Sequence, residues 1–174
     1  MTISAAKTDL SFLSIEDVGR LLRKKKLSPL DLAEEQIARI ARLNPKLNAF
    51  ITVAEAEARE QARTAEKEIS RGRYRGPLHG IPVTLKDNIA TQGVRTTAGS
   101  KFFSLPDSAP SATVAQRLDR AGAVLLGKTN LHEFAYGITS ENPHFGPVHN
   151  PWDLQRIPGG STGGSGGGSG SSGG

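Results

Sequence analysis

Residues 76–88 read Gly-Pro-Leu-His-Gly-Ile-Pro-Val-Thr-Leu-Lys-Asp-Asn and contain a short apolar, β-branched run, Ile81 to Lys86, between turn-forming residues. Such a run predicts a buried strand. A second apolar run, Ala123 to Leu126, follows a helical pattern that begins at Ser111 and ends at Ala121-Gly122. Helix and strand repeated with short connections predict an α/β fold with a layered, mostly parallel sheet.

Three helices are predicted before this region, as an outer layer packed on the sheet. Ser14 is a candidate N-cap for the first helix, which ends near the lysine run 24–26. Ser28-Pro29 is the start signal of the second helix, whose apolar residues recur at helical spacing until Asn44-Pro45. The third, roughly Ala54 to Arg71, has a thin apolar side made of Ala58, Ala62, Ala65 and Ile69.

The composition divides the 174 residues unevenly. Residues 1–158 can build a core, with helices in 14–71 and an α/β part in 76–158, whereas residues 159–174 hold only Gly, Ser and Thr. The net charge of +5 is concentrated in residues 20–26 and 71–75. We interpret both clusters as solvated helix ends, and therefore expect no DNA partner.

Cysteine usage and hydropathy exclude several classes of protein. The chain has no cysteine, which excludes disulfides, thiol nucleophiles and thiolate zinc sites. It also has no apolar run of 18 residues and no secretory signal at its N-terminus, so we expect a cytoplasmic protein without a membrane span.

Two short motifs match known patterns without the required context. Gly122 to Thr129 fits the phosphate-loop pattern, but a helix precedes its first glycine and the predicted strand fills the space between the glycines. Gly159 to Gly163 fits the nucleophile elbow G-x-S-x-G, but no acid or histidine follows it. No metal or cofactor is predicted either, because zinc-ligand spacing is missing from the four histidines, His79, His132, His144 and His149.

Lys86 is the residue whose position most suggests a chemical role. It ends an apolar run, and desolvation lowers the pKa of a lysine that leaves a buried strand. To act as a neutral base near pH 7, its pKa would have to lie about 3 pH units below the ordinary value, at a cost of roughly 4 kcal/mol. The neighbouring Asp87 opposes that change, so the residues alone favour a structural Lys86–Asp87 pair over a base.

Several motifs in a fixed order resemble the amidase signature family. They are residues 76–88, Thr96-Thr-Ala-Gly-Ser100, residues 121–130, Glu133-Phe134, Asn150-Pro-Trp-Asp153, and Pro158-Gly-Gly-Ser-Thr-Gly-Gly-Ser165. The resemblance spans about Ser14 to Ser165. It implies the amidase signature fold, and hydrolysis of a non-peptide carboxamide C–N bond to a carboxylate and ammonia or an amine.

The resemblance also implies the site. Lys86 becomes the catalytic lysine, and Ser161 the bridging serine, which follows a cis peptide bond in the family. In the family mechanism, a second serine attacks the amide and its proton passes through the bridging serine to the neutral lysine. That nucleophile lies in a later G-T-D-x-G-G-S segment, before which the 174 residues stop. We therefore expect a truncated fold that is inactive alone, and a linker-like stretch from residue 166.

Two alternatives remain beside an amidase acting on a small amide. One is the glutaminase subunit of an aspartyl/glutamyl-tRNA amidotransferase, which delivers ammonia to partner subunits holding misacylated tRNA. Residues 132–146 look slightly more like stand-alone amidases. The other alternative is a non-catalytic remnant or interaction module.

Overall fold

The computed structural model describes residue 10 and residues 13–169. Its helices and strands, in chain order, are α1 (Ile15–Arg23), α2 (Pro29–Leu47), β1 (Phe50–Val53), α3 (Glu55–Ser70), β2 (Pro82–Lys86), α4 (Thr113–Arg120), β3 (Val124–Thr129), β4 (Glu141–Asn142), β5 (Gly146–Pro147) and α5 (Gly163–Ser169). The first three strands form one sheet in the order β1-β3-β2, and β4 pairs with β5 in a small hairpin.

The central sheet is mixed in the part of the chain that the structure describes. β2 runs parallel to β3, as predicted, whereas β1 is antiparallel to β3. The predicted α/β fold is confirmed, with one parallel and one antiparallel pairing in place of a mostly parallel sheet. Sequence analysis did not identify β1, because its four residues fill the short gap between two strong helices.

Strand β3 is the centre of the core, and all six of its residues are buried. Val124 and Leu126 pack against Ala and Ile side chains of α2 and α3. Leu125 lies in a separate cluster with Leu85 of β2 and Ala115 of α4. Side chains alternate between the faces of a strand, so β3 is covered on both faces by these elements.

The helix predictions are largely confirmed. The hydroxyls of Ser14 and Ser28 accept backbone N–H groups at the starts of α1 and α2. The predicted apolar side of α3 is buried in full. The predicted end of α2 at Pro45 is wrong, because the helix continues to Leu47 and ends at Asn48 in the left-handed conformation. A proline in the last turn removes a single helical hydrogen bond, and the burial of Leu47 favours the added turn.

The segment that fits the phosphate-loop pattern forms a turn followed by β3, as its residues predict. Gly127 lies inside the strand with φ +154°, where β1 crosses closely. A Cβ atom at this position would lie 2.2 Å from the carbonyl oxygen of Thr52. The glycine is therefore explained by the approach of two strands, with no need for a bound phosphate.

Candidate active site

Lys86 and Ser161, 75 residues apart in the chain, meet at the carboxyl edge of the sheet. Lys86 is the last residue of β2, and Ser161 lies in the loop that leads into α5. The Lys86 Nζ atom lies 2.6 Å from the Ser161 Oγ atom, within hydrogen-bond distance. The peptide bond before Ser161 is cis, which is the geometry that the family resemblance implies.

The glycines after Ser161 let the backbone of α5 lie directly on this edge. The Gly164 N–H donates to the Asn130 carbonyl at 2.9 Å, just beyond the end of β3. A Cβ atom at Gly164 would lie 2.2 Å from the Ala49 carbonyl oxygen, which leaves no room for a side chain. The segment thus packs through bare backbone, and its helix extends to Ser169 although its composition predicts a linker from residue 166.

The Lys86 amine lies in a partly dehydrated environment. Its side chain is half-buried, and burial lowers the pKa of Lys86 below its ordinary value. A serine hydroxyl 2.6 Å from a lysine whose charged form is disfavoured has the geometry needed for proton transfer between the two groups.

The structural pair between Lys86 and Asp87, which the residues alone favour, is wrong. Asp87 is fully buried and accepts hydrogen bonds from the backbone N–H of Thr97, at 3.0 Å, and from the Thr97 hydroxyl. Its other carboxylate oxygen lies 3.6 Å from the Nζ atom of Lys128. The carboxylate is thus engaged by β3 and by the loop around residue 97, and Lys86 pairs with Ser161 instead.

Lys128 is a residue of the site region that sequence analysis missed. It is fully buried, and its ammonium donates to the Ile89 carbonyl at 2.7 Å and to the Thr96 hydroxyl at 2.6 Å. Burial lowers the pKa of Lys128, and the charge of Asp87 acts in the opposite direction. The available signal was a lysine two positions after the apolar run 123–126 and inside the same strand, where a charge requires buried partners.

Two of the four histidines, His144 and His149, make contacts with neighbouring side-chain or backbone oxygens. Glu133 lies 2.7 Å from a ring nitrogen of His144, and the pKa of Glu133 is lowered, first by a hydrogen bond from Ser100 and then by His144. The ring of His149 is 2.9 Å from the Leu154 carbonyl oxygen.

Within residue 10 and residues 13–169, no three His, Asp or Glu side chains are placed to hold a metal ion. No described helix is long and apolar enough to cross a bilayer.

Comparison with known proteins places this geometry in context. The A subunit of the glutamyl-tRNA(Gln) amidotransferase of Carboxydothermus hydrogenoformans is 43% identical over 155 residues, which are 89% of this chain and 32% of that protein. The corresponding protein of Nitrosomonas europaea is 49% identical over 150 residues, or 86% of this chain and 31% of that protein. The chain therefore spans about a third of the length of these curated relatives.

Solved structures show the same likeness. The native peptide amidase of Stenotrophomonas maltophilia superposes with a TM-score of 0.81 at 36% identity, over 92% of this chain and 33% of that one. A component of a vestigial protein complex, studied for the origins of an s-triazine catabolic enzyme, gives a TM-score of 0.86 at 40% identity, over 91% of this chain and 35% of its own. The sequence profile named Amidase matches residues 31–170. The chain belongs to the amidase family.

Proposed function

We propose that the protein hydrolyses a carboxamide to a carboxylate and ammonia or an amine, with Lys86 as the base and Ser161 as the bridging hydroxyl. The observation that carries this proposal is the 2.6 Å contact between the half-buried amine and the hydroxyl. Membership of the amidase family supports the reaction class, and the lowered pKa of Lys86 supports its role as a proton acceptor.

The proposed reaction begins when a serine hydroxyl attacks the amide carbonyl and forms a new C–O bond. The proton of that hydroxyl passes to Ser161 Oγ, and the proton of Ser161 passes to the neutral amine of Lys86. When the C–N bond breaks, the same route returns a proton to the leaving nitrogen. Water then cleaves the acyl ester and releases the carboxylate.

The attacking serine belongs, by family resemblance, to a segment that follows the glycine run. We assign that role to none of Ser165, Ser169, Ser171 and Ser172. A polypeptide made of residues 1–174 alone should therefore release no ammonia from simple aliphatic or aryl amides. It should also resist a fluorophosphonate that reacts with activated serines, and stoichiometric labelling would contradict this assignment.

The activity can be tested by supplying the remaining part of the fold. Residues 1–165 are joined to the portion of the Carboxydothermus relative that follows its matched region, and ammonia release is measured with a coupled dehydrogenase assay. We expect Lys86→Met and Ser161→Ala to reduce the rate by at least ~100-fold each, the usual contribution of a general base. The unmodified relative is the control, and Lys86→Met within tenfold of the parent chimera would refute the proposed role of the lysine.

A second candidate is the glutaminase subunit of a tRNA-dependent amidotransferase, acting in the cytoplasm. The 43–49% identity to curated relatives of that name favours it. Two chimeras distinguish the two functions, one completed by the Carboxydothermus relative and one by the peptide amidase of Stenotrophomonas maltophilia. If the chain is part of the glutaminase, only the first should be active, releasing ammonia from glutamine when the relative's partner subunits and misacylated tRNA are present. If it is part of a stand-alone amidase, the second should act on amides without other proteins.

A further inference from the structure

We propose that Ser140 is a positioning residue, whose hydroxyl holds the loop 159–163 so that Ser161 stays within hydrogen-bond distance of Lys86. The inference rests on the proposed pairing of Lys86 with Ser161. Ser140 Oγ donates to the Gly159 carbonyl at 3.0 Å and accepts from the Gly163 N–H at 2.9 Å. The Ser140 hydroxyl thus bridges Gly159 and Gly163, which lie on either side of Ser161 in the loop.

The Ser140 hydroxyl also fills the space inside this loop. A Cβ atom at Gly160 would lie 2.9 Å from Ser140 Oγ, and one at Gly163 would lie 2.4 Å from it. Both distances are shorter than real Cβ contacts allow, so the loop closes around the hydroxyl only with glycine at these positions. Ser140 itself is fully buried, and water cannot replace its hydroxyl without a rearrangement of the loop.

Ser140 is fixed by its own backbone. It has φ +59° and immediately precedes β4, and its carbonyl accepts from the Val148 N–H at 3.1 Å, just after β5. The base of the β4–β5 hairpin therefore anchors the hydroxyl. On its other side, the loop is held by the His132 N–H, which donates to the Ser161 carbonyl at 3.2 Å. Ser161 is thus held between a side-chain hydroxyl, from Ser140, and a backbone group, from His132.

The test compares the titration of Lys86 in five forms of the 174-residue chain labelled with ¹³C-lysine, with the Lys86 resonance assigned by Lys86→Arg. The forms are the wild type, Ser161→Ala, Ser140→Ala, the double variant Ser140→Ala/Ser161→Ala and the control Ser100→Ala. Ser100 is an equally buried serine whose hydroxyl accepts from the Phe102 N–H and donates to the Glu133 carboxylate, both outside the loop 159–163. Loss of a buried hydroxyl is common to Ser140→Ala and Ser100→Ala, so a merely structural effect would be similar in the two.

We expect Ser161→Ala to move the Lys86 midpoint by roughly half a pH unit or more, and Ser140→Ala to move it in the same direction. The Ser140→Ala/Ser161→Ala double variant should shift no further than Ser161→Ala alone, and Ser100→Ala should match the wild type. If Ser161→Ala shifts the midpoint and Ser140→Ala does not, or if Ser100→Ala shifts it equally, the positioning role of Ser140 is overturned while the proposed pair stands. If Ser161→Ala itself has no effect, the pair fails and the inference fails with it.

A second variant keeps the test decisive if Ser140→Ala does not fold. Ser140→Cys places a thiol at the same position, and a thiol is a weaker hydrogen-bond donor and acceptor. An intermediate shift of the Lys86 midpoint in a cooperatively folded Ser140→Cys chain would support the positioning role. A wild-type midpoint in that chain would overturn it.

Discussion

Removing one partner of the buried pair between Lys128 and Asp87 should destabilise the chain strongly, and the substitution Lys128→Met tests this. Methionine removes two short hydrogen bonds, to the Ile89 carbonyl and the Thr96 hydroxyl, and leaves the fully buried carboxylate of Asp87 without its counter-charge. Removing one partner of a buried pair costs about 3–5 kcal/mol, because an uncompensated charge stays in a medium of low dielectric. We expect the free energy of unfolding to fall by that amount.

The double variant Asp87→Asn/Lys128→Met separates this charge effect from lost packing. The asparagine oxygen can still accept from Thr97, and no charge of the pair remains. We expect the double variant to recover about 1–3 kcal/mol of the loss caused by Lys128→Met. Lys67→Met, on the exposed face of α3, is the matched control and should change stability by less than about 0.5 kcal/mol.

The measurement is urea unfolding followed by far-ultraviolet circular dichroism, because the single tryptophan, Trp152, is 81% exposed and reports poorly on the core. A loss below about 1 kcal/mol in Lys128→Met would show that water reaches the pair, contrary to the full burial of both side chains. Asp87→Asn is also measured alone. If the free-energy changes of Asp87→Asn and Lys128→Met add up to that of the double variant, the two charges do not interact.

Three further predictions concern the edge of the sheet and the helix ends. Gly164→Ala should destabilise the chain by about 1–3 kcal/mol in the same urea assay, because its Cβ would meet the Ala49 carbonyl and Asn130 backbone; an unchanged midpoint would mean that α5 does not lie on this edge. Ser28→Ala should cost about 0.5–2 kcal/mol through loss of the α2 cap, and Ser28→Gly clearly less, as thermal melts of both variants can establish. Because the folded pKa of Lys86 lies below its ordinary value of 10.5, the unfolded chain binds more protons between the two values. The wild type should therefore gain stability relative to Lys86→Met as the pH rises from neutral towards 10.5, and a difference that stays constant over this range would contradict the lowered pKa.

Local signals were sufficient for most of the helices and for the parallel pair of strands. Capping serines, the apolar periodicity of α3 and two apolar runs predict elements that the structure contains. The misplaced end of α2 and the missed strand β1 have one physical cause. The burial of Leu47 favours the last turn of α2 and the pairing with β3 forms β1, and neither tertiary contact is visible in a local reading.

The partner of Lys86 in the site likewise cannot be derived from local sequence. From the residues alone, the partner of Lys86 is its chain neighbour Asp87, because sequence proximity is the only distance that a sequence gives. Family resemblance corrected the partner to Ser161, which the fold brings to 2.6 Å. No comparable signal pointed to Ser140, since an isolated serine in a loop carries no pattern, and its importance arises only where two backbone groups close around its hydroxyl.

The two neighbouring strands β2 and β3 place two lysines in contrasting surroundings. Burial lowers the pKa of both amines, but Lys128 faces a carboxylate and two further oxygen acceptors that favour its charged form. Lys86, at the edge, has a neutral hydroxyl as its hydrogen-bond partner among the described residues. Because the pair on the inner side uses the carboxylate of Asp87, that charge is not available to hold the proton on Lys86. Under the proposed function, the buried ion pair would thereby allow Lys86 to act as the base, and Lys128 therefore belongs to the description of the site although its amine is directed into the core.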